Sequence, residues 1–121
     1  MSAIVLGKGD ALLIVDLQND FLPGGSLGVP QGDLVIDPIN TLIALYSSRG
    51  LPVYASRDWH PDDHCSFAAQ GGPWPPHCVA DTPGAAFSQL LSLPHDAIVI
   101  SKAAPSQEDA YSAFNGTGLA R

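Results

Sequence analysis

The sequence predicts an α/β domain built on a mainly parallel sheet. Two apolar runs, Ala11 to Val15 and Ala97 to Ile100, are continuous rather than alternating, which is the pattern of strands covered on both faces. Between them a helical pattern and a further strand pattern alternate, as in right-handed β-α-β units. Each strand pattern ends on an ionisable residue: Asp16, Asp58 and Lys102. In open parallel sheets, ligands collect beyond the carboxyl ends of the strands, so three such groups mark a candidate site.

Taken in order, the first strand covers 11–15, and Pro23-Gly24-Gly25-Ser26 signals a loop. A helix is expected from about Leu34 to Ser48. Its apolar residues Leu34, Val35, Ile39, Leu42, Ile43 and Tyr46 share one face, Asp33 is its N-cap, and Gly50 stops it. A second strand runs from Leu51 to Ser56 and leads into Arg57-Asp58. Residues 58–83 form a long loop rich in Pro, Gly and His, of the kind that is usually functional, and its two Trp residues argue for order. A short helix is expected from about Ala85 to Leu91, then a third buried strand through Ile100 that ends at Ser101-Lys102.

The 121 residues suffice for one domain, and 45% hydrophobic content excludes intrinsic disorder. A formal charge of −7 disfavours nucleic acid and anionic membrane surfaces as partners. No apolar run is long enough to span a bilayer, and residues 1–10 lack the pattern of a secretory signal. Two cysteines in such a chain do not read as a disulfide framework, so a cytoplasmic protein with reduced thiols is expected.

Asp58 and His60, two residues apart on an extended segment, point to one side, and His77 can return from the loop to join them. A carboxylate with imidazoles suits Zn²⁺ or a similar divalent ion; His64 is a further candidate ligand. Hydrogen bonding of these histidines to backbone is the bland alternative. Asp16 and Lys102 read equally as a general base with its lysine or as a structural ion pair. Cys65 and Cys78 are ligand, nucleophile or packing, and a structural zinc loop stays open. Phe21, Trp59 and Trp74 could wall a pocket for a flat ring or equally be core, and core is favoured for Trp59. A dinucleotide fold is disfavoured, because Gly24-Gly25-Ser26-Leu27-Gly28 does not supply the glycine fingerprint and no Walker A pattern occurs.

Four blocks in order carry a family resemblance. They are Ile14-Val15-Asp16-Leu17-Gln18-Asn19-Asp20-Phe21 with Gly24-Gly25-Ser26-Leu27; Ser56-Arg57-Asp58-Trp59-His60-Pro61 with His64-Cys65-Ser66-Phe67; Trp74-Pro75-Pro76-His77-Cys78-Val79 with Gly84-Ala85; and Ile100-Ser101-Lys102. Together they resemble the nicotinamidases (pyrazinamidases) of the isochorismatase-like cysteine hydrolase superfamily. The metal blocks favour these over isochorismatases and carbamoylsarcosine amidases.

The resemblance implies a three-layer αβα fold with a mainly parallel sheet of order 3-2-1-4-5-6, of which this chain supplies only the N-terminal strands. It implies hydrolysis of nicotinamide to nicotinate and ammonia through a Cys-Asp-Lys triad and a thioester, a step of NAD salvage and pyridine nucleotide biosynthesis. Asp16 matches the general base and Lys102 the triad lysine. Asp58, His60 and His77 match the metal ligands, with His64 a ligand in some members. The ion is usually Zn²⁺, with Fe or Mn in others, and holds the ring nitrogen. Phe21 and Trp74 match the ring walls; Leu27 and Tyr111 are weaker candidates.

The family's nucleophilic cysteine lies in a block that this chain lacks, and neither Cys65 nor Cys78 is in register with it. The 121 residues are therefore expected to form part of one domain, incomplete at the C-terminus and inactive alone. The remainder would be a partner, as the same polypeptide or as a separate chain after cleavage around Asn115 to Arg121, and homo-oligomerisation is a further expectation. Without the remainder, the first strand would be an exposed apolar edge. A non-catalytic metal-binding fragment and an amidase acting on another carboxamide are the alternatives.

Overall fold

The computed structural model describes residues 5–110, 112–115 and 117. Its frame is a parallel sheet of three strands in the order β1-β2-β3: β1 (Leu12–Val15), β2 (Val53–Asp58) and β3 (Ile98–Lys102). One α-helix, α1 (Ile36–Ser48), connects β1 to β2 and packs against both. The register sets Val15 beside Ser56 and Asp58 beside Lys102, so the carboxyl ends of the strands lie together.

The core follows from the apolar faces of these elements. Ile14, Leu17, Ile36, Ile43, Val53, Ala55 and Leu91 are buried together, with Ile39, Tyr46 and Phe87 packed on them. The inward face of α1 is thus Ile36, Ile39, Ile43 and Tyr46, spaced as a helical stripe should be. Leu34, Val35 and Leu42 do not belong to it. Leu34 and Val35 lie in a 3₁₀ turn (Gly32–Val35) that precedes α1, and all three side chains are exposed. Asp33 consequently caps nothing; Val35 occupies the cap position without a side-chain bond. Gly50 stops the helix as expected, in the left-handed region at φ 68°, while Leu51 N–H closes back on Tyr46 O at 3.0 Å.

β2 begins two residues later than the apolar run. Pro52 has no N–H to give to a ladder, so only its carbonyl takes part, accepting from Leu12 N–H at 3.1 Å. β3 is not the buried strand the pattern predicts. Ile98 is 45% and Val99 40% exposed, because among the described residues one helix covers one face and β3 is a sheet edge. β1 is the opposite edge, and Val15 is 62% exposed. A third layer is therefore not supplied by the described residues.

The helix expected over 85–91 is absent. The segment instead runs antiparallel to the chain after β1: Asn19 N–H bonds Ala86 O at 2.9 Å, Ser88 N–H bonds Leu17 O at 3.1 Å, and Gln18 bridges Phe87. Cross-chain pairing takes the backbone groups that a helix would have paired internally.

The long loop after β2 is ordered by its own contacts. His60 bridges Val79, Phe67 bridges Trp74, and a 3₁₀ turn (Ala68–Gln70) reverses the chain. Its buried anchor is Phe67 rather than either tryptophan. Trp74 is 44% exposed, and Trp59, read as core, is half-buried with the Arg57 guanidinium 3.6 Å above its ring. The turn closes because Gly72 lies directly on the Ser66 carbonyl, where a Cβ would overlap main-chain atoms. Gly72→Ala should therefore destabilise the fold by about 1–3 kcal/mol, measured by urea unfolding. An unchanged midpoint would show that this turn yields freely.

Candidate metal centre and strand-end ion cluster

The three strand ends bring Asp16, Asp58 and Lys102 into contact. Lys102 Nζ lies 2.8 Å from Asp16 Oδ2 and donates to Asp58 Oδ1 at 2.5 Å. Lys102 is 5% exposed and is held by both acids. Burial alone would lower its pKa, but the hydrogen bonds and charges of Asp16 and Asp58 outweigh that and raise it, so the ammonium stays charged. Ser56 completes the arrangement, its hydroxyl donating to Asp16 Oδ1 at 2.8 Å.

Asp58 turns its other oxygen to two histidines. His60 Nε2 lies 3.5 Å and His77 Nε2 3.8 Å from Asp58 Oδ2, and all three residues are buried. One ligating atom from each falls within 4.8 Å of the others. Burial raises the carboxyl of Asp58, and hydrogen bonds from His60 and Lys102 overcome it, holding the group below the usual carboxylate range. For His60, burial would lower the pKa, but Asp58 and the Ala103 carbonyl outweigh it and the net shift is upward.

The far sides of the rings decide what the near sides offer. His60 Nδ1 lies 3.0 Å from Ala103 O, and His77 Nδ1 lies 2.9 Å from Pro75 O. A carbonyl only accepts, so each Nδ1 carries a hydrogen toward it, and each Nε2 faces Asp58. A metal ion taking an Nε2 lone pair displaces any proton held there. The formal charges of Asp16, Asp58 and Lys102 sum to one negative, which favours a cation, and a carboxylate with two imidazoles is a donor set that suits a divalent ion.

His64 is held differently. Its Nε2 donates to Glu108 O at 2.6 Å, which leaves Nδ1 to accept from the Ser66 hydroxyl at 2.7 Å. It stacks on His60 with centroids 4.0 Å apart and stands outside the three-residue group. Phe67 meets His60, His64 and His77 edge-on, with centroids 5.5–5.7 Å away, and forms the apolar floor of the cluster. Phe21 approaches the His77 ring at 5.8 Å. Leu27 is half-buried, and Tyr111 lies outside the described residues.

Neither cysteine joins the cluster. Cys78 is fully buried, and burial together with Asp58, Asp20 and Asp16 pushes its thiol pKa far up, against a smaller opposing pull from Lys102. It is inert as a nucleophile. Cys65 is half-buried, its N–H bonded to Ser106 O at 2.7 Å.

Sequence reasoning missed Gln18 as a functional residue. It is wholly buried and grips the main chain of Asp58 at both groups: Asp58 N–H donates to Oε1 at 2.9 Å, and Nε2 donates to Asp58 O at 2.8 Å. The same Nε2 reaches Ala85 O at 2.8 Å. The available signal was an amide just past a strand-end acid, where the backbone must leave the sheet.

An isochorismatase-domain family model matches residues 10–121. The chain belongs to that family. It is 45% identical to the Escherichia coli nicotinamidase over 89% of its own length and 58% of that protein's. The zinc-bound pyrazinamidase of Pyrococcus horikoshii superposes with a TM-score of 0.88 at 52% identity, over 91% of this chain and 60% of that one. PnC1 of L. infantum, crystallised with nicotinate, gives 0.85 at 43% identity, over 94% and 57%. The chain thus spans a little under two thirds of the length of the relatives it matches.

Removing the charge at the centre of the cluster leaves the buried Asp58 and the half-buried Asp16 without the cation between them. Lys102→Met should cost about 3–5 kcal/mol of stability, read by thermal unfolding. A loss under ~1 kcal/mol would mean that solvent screens the acids and the lysine is peripheral.

Proposed function

We propose that the chain carries the metal site and two triad members of a nicotinamidase, an amidohydrolase that converts nicotinamide to nicotinate and ammonia. The observation that supports this most is Lys102 seated between Asp16 and Asp58, which joins the acid–lysine pair to the Asp58-His60-His77 group in one cluster. The nicotinamidase relatives and the zinc-bound pyrazinamidase support the substrate class and the metal.

In this reading Asp58, His60 and His77 hold a divalent ion, zinc first among candidates with Fe or Mn as alternatives, and His64 buttresses His60. The ion supplies a coordination point that orients the heteroaromatic ring nitrogen. Asp16 is the general base. Ser56 and Lys102 fix its carboxylate, leaving it poised to take the proton of a cysteine thiol at an oxygen. Lys102 favours the resulting thiolate by charge. That thiolate attacks the amide carbon, Asp16 returns the proton to the departing nitrogen, which leaves as ammonia, and water cleaves the thioester to nicotinate and the free thiol. The nucleophile comes from a segment outside these 121 residues, supplied by the remainder of the same protein. Phe21 and Trp74, with Leu27 and Tyr111 beside them, wall the ring. The enzyme is cytoplasmic and serves NAD salvage.

The test is ammonia release from nicotinamide by the whole protein that contains this chain, before and after Asp16→Asn. The expected result is turnover that falls by about 10²–10⁴-fold in the variant, with bound metal retained. Turnover of aliphatic amides alone would move the reading to another amidase. No amidase activity with metal still bound would leave a metal-binding protein without catalysis.

A further inference from the structure

Asp20 carries a carboxylate that neither the metal group nor the Asp16-Lys102 pair uses. It sits one turn past β1, yet its side chain reaches the loop that delivers His77. Its Oδ2 accepts the main-chain N–H of Cys78 at 2.8 Å, and its Oδ1 faces Ser26 N–H at 3.5 Å. Its own backbone is pinned on both sides: Asp20 N–H bonds Gly84 O, and Leu27 N–H bonds Asp20 O, each at 2.9 Å. The carboxylate lies directly over Gly84, where any Cβ would overlap it. The absence of a side chain at Gly84 leaves the space that the carboxylate occupies.

The peptide it holds is unusual. Cys78 has φ 50°, a left-handed conformation that residues with a Cβ rarely adopt. Its thiol is buried and takes no part in the cluster. The conformation therefore serves the main chain. On one side of this residue is His77. On the other, the Cys78 carbonyl accepts His60 N–H at 3.0 Å, and Ala80 N–H closes on His60 O at 2.8 Å. One strained residue thus lies between two of the three candidate ligands, and the Asp20 carboxylate bonds its N–H.

We infer that Asp20 is a positioning residue for the metal centre: by holding the Cys78 peptide in its left-handed turn, it fixes the approach of His77 to Asp58 and His60. The inference rests on the reading of Asp58, His60 and His77 as metal ligands. Asp20 is not one of the three grouped ligand residues. It works through one backbone N–H, so an uncharged acceptor of the same shape should serve nearly as well.

The experiment is a Co²⁺ titration of the whole metal-free protein, read by the visible absorption of the bound ion, with thermal unfolding of each metal-free variant alongside. His77→Ala is the control for the site itself and should abolish tight binding. Asp20→Ala should weaken binding about 10–100-fold, the range for lost support of a metal ligand. Asp20→Asn, which keeps an oxygen for the Cys78 N–H, should stay within about threefold of the parent by the same reasoning. Adding Cys78→Gly to Asp20→Ala should recover much of the lost affinity, because glycine adopts the left-handed turn unaided. Recovery of affinity without recovery of unfolding temperature separates positioning from stability, since Cys78→Gly also empties core volume. Unchanged affinity in Asp20→Ala overturns the inference, as does a failure of glycine to rescue any loss. Unchanged affinity in His77→Ala overturns the metal reading itself.

Discussion

The ammonium of Lys102, closed between two carboxylates, is the constraint on which the site depends. It comes from the last residue of β3 and reaches the acids that end β1 and β2. Each acid alone at this depth would be costly to ionise. Together with the lysine they carry one net negative formal charge, with imidazoles on the open side, an arrangement that attracts a cation. The Asp16 pair and the Asp58-His60-His77 group thus meet at one side chain.

Parallel topology makes the arrangement available. Strands that run the same way end at the same edge, and a register that sets Asp58 beside Lys102 brings opposite charges together. The chain then leaves β1 and β3 through left-handed residues, Asp16 at φ 53° and Ala103 at φ 52°. Ala103 turns its carbonyl to His60 Nδ1, which fixes the ring's tautomer. The left-handed backbone at these exits is local and falls at the candidate site: Ala103 contacts the His60 ring, and Asp16 contacts Lys102.

Much of this was legible in the sequence. The strand-end positions of Asp16, Asp58 and Lys102 follow from continuous apolar runs, and the Asp58–His60 spacing follows from the two-residue period of an extended chain. What the pattern hid was decided by partners far along the chain. Residues 85–91 read as a helix from local spacing, but they pair with the segment after β1. Leu34, Val35 and Leu42 matched a helical face until a 3₁₀ turn displaced the start of α1. Phe67, and not the tryptophans, anchors the long loop, since three histidines meet it edge-on at distances that no local rule encodes. Gln18 and Asp20 act on main-chain groups 40 and 58 residues away, so their roles have no signature in their neighbours.

If Asp58, His60 and His77 hold the ion, the strand-end cluster and not the thiols of the loop makes the metal site. X-ray absorption at the zinc edge of the zinc-loaded whole protein separates the two. The expected first shell is nitrogen and oxygen only, at about 2.0–2.2 Å, with imidazole scattering from two rings. A sulfur scatterer at about 2.3 Å would overturn this and place Cys65 or Cys78 on the metal in a structural loop.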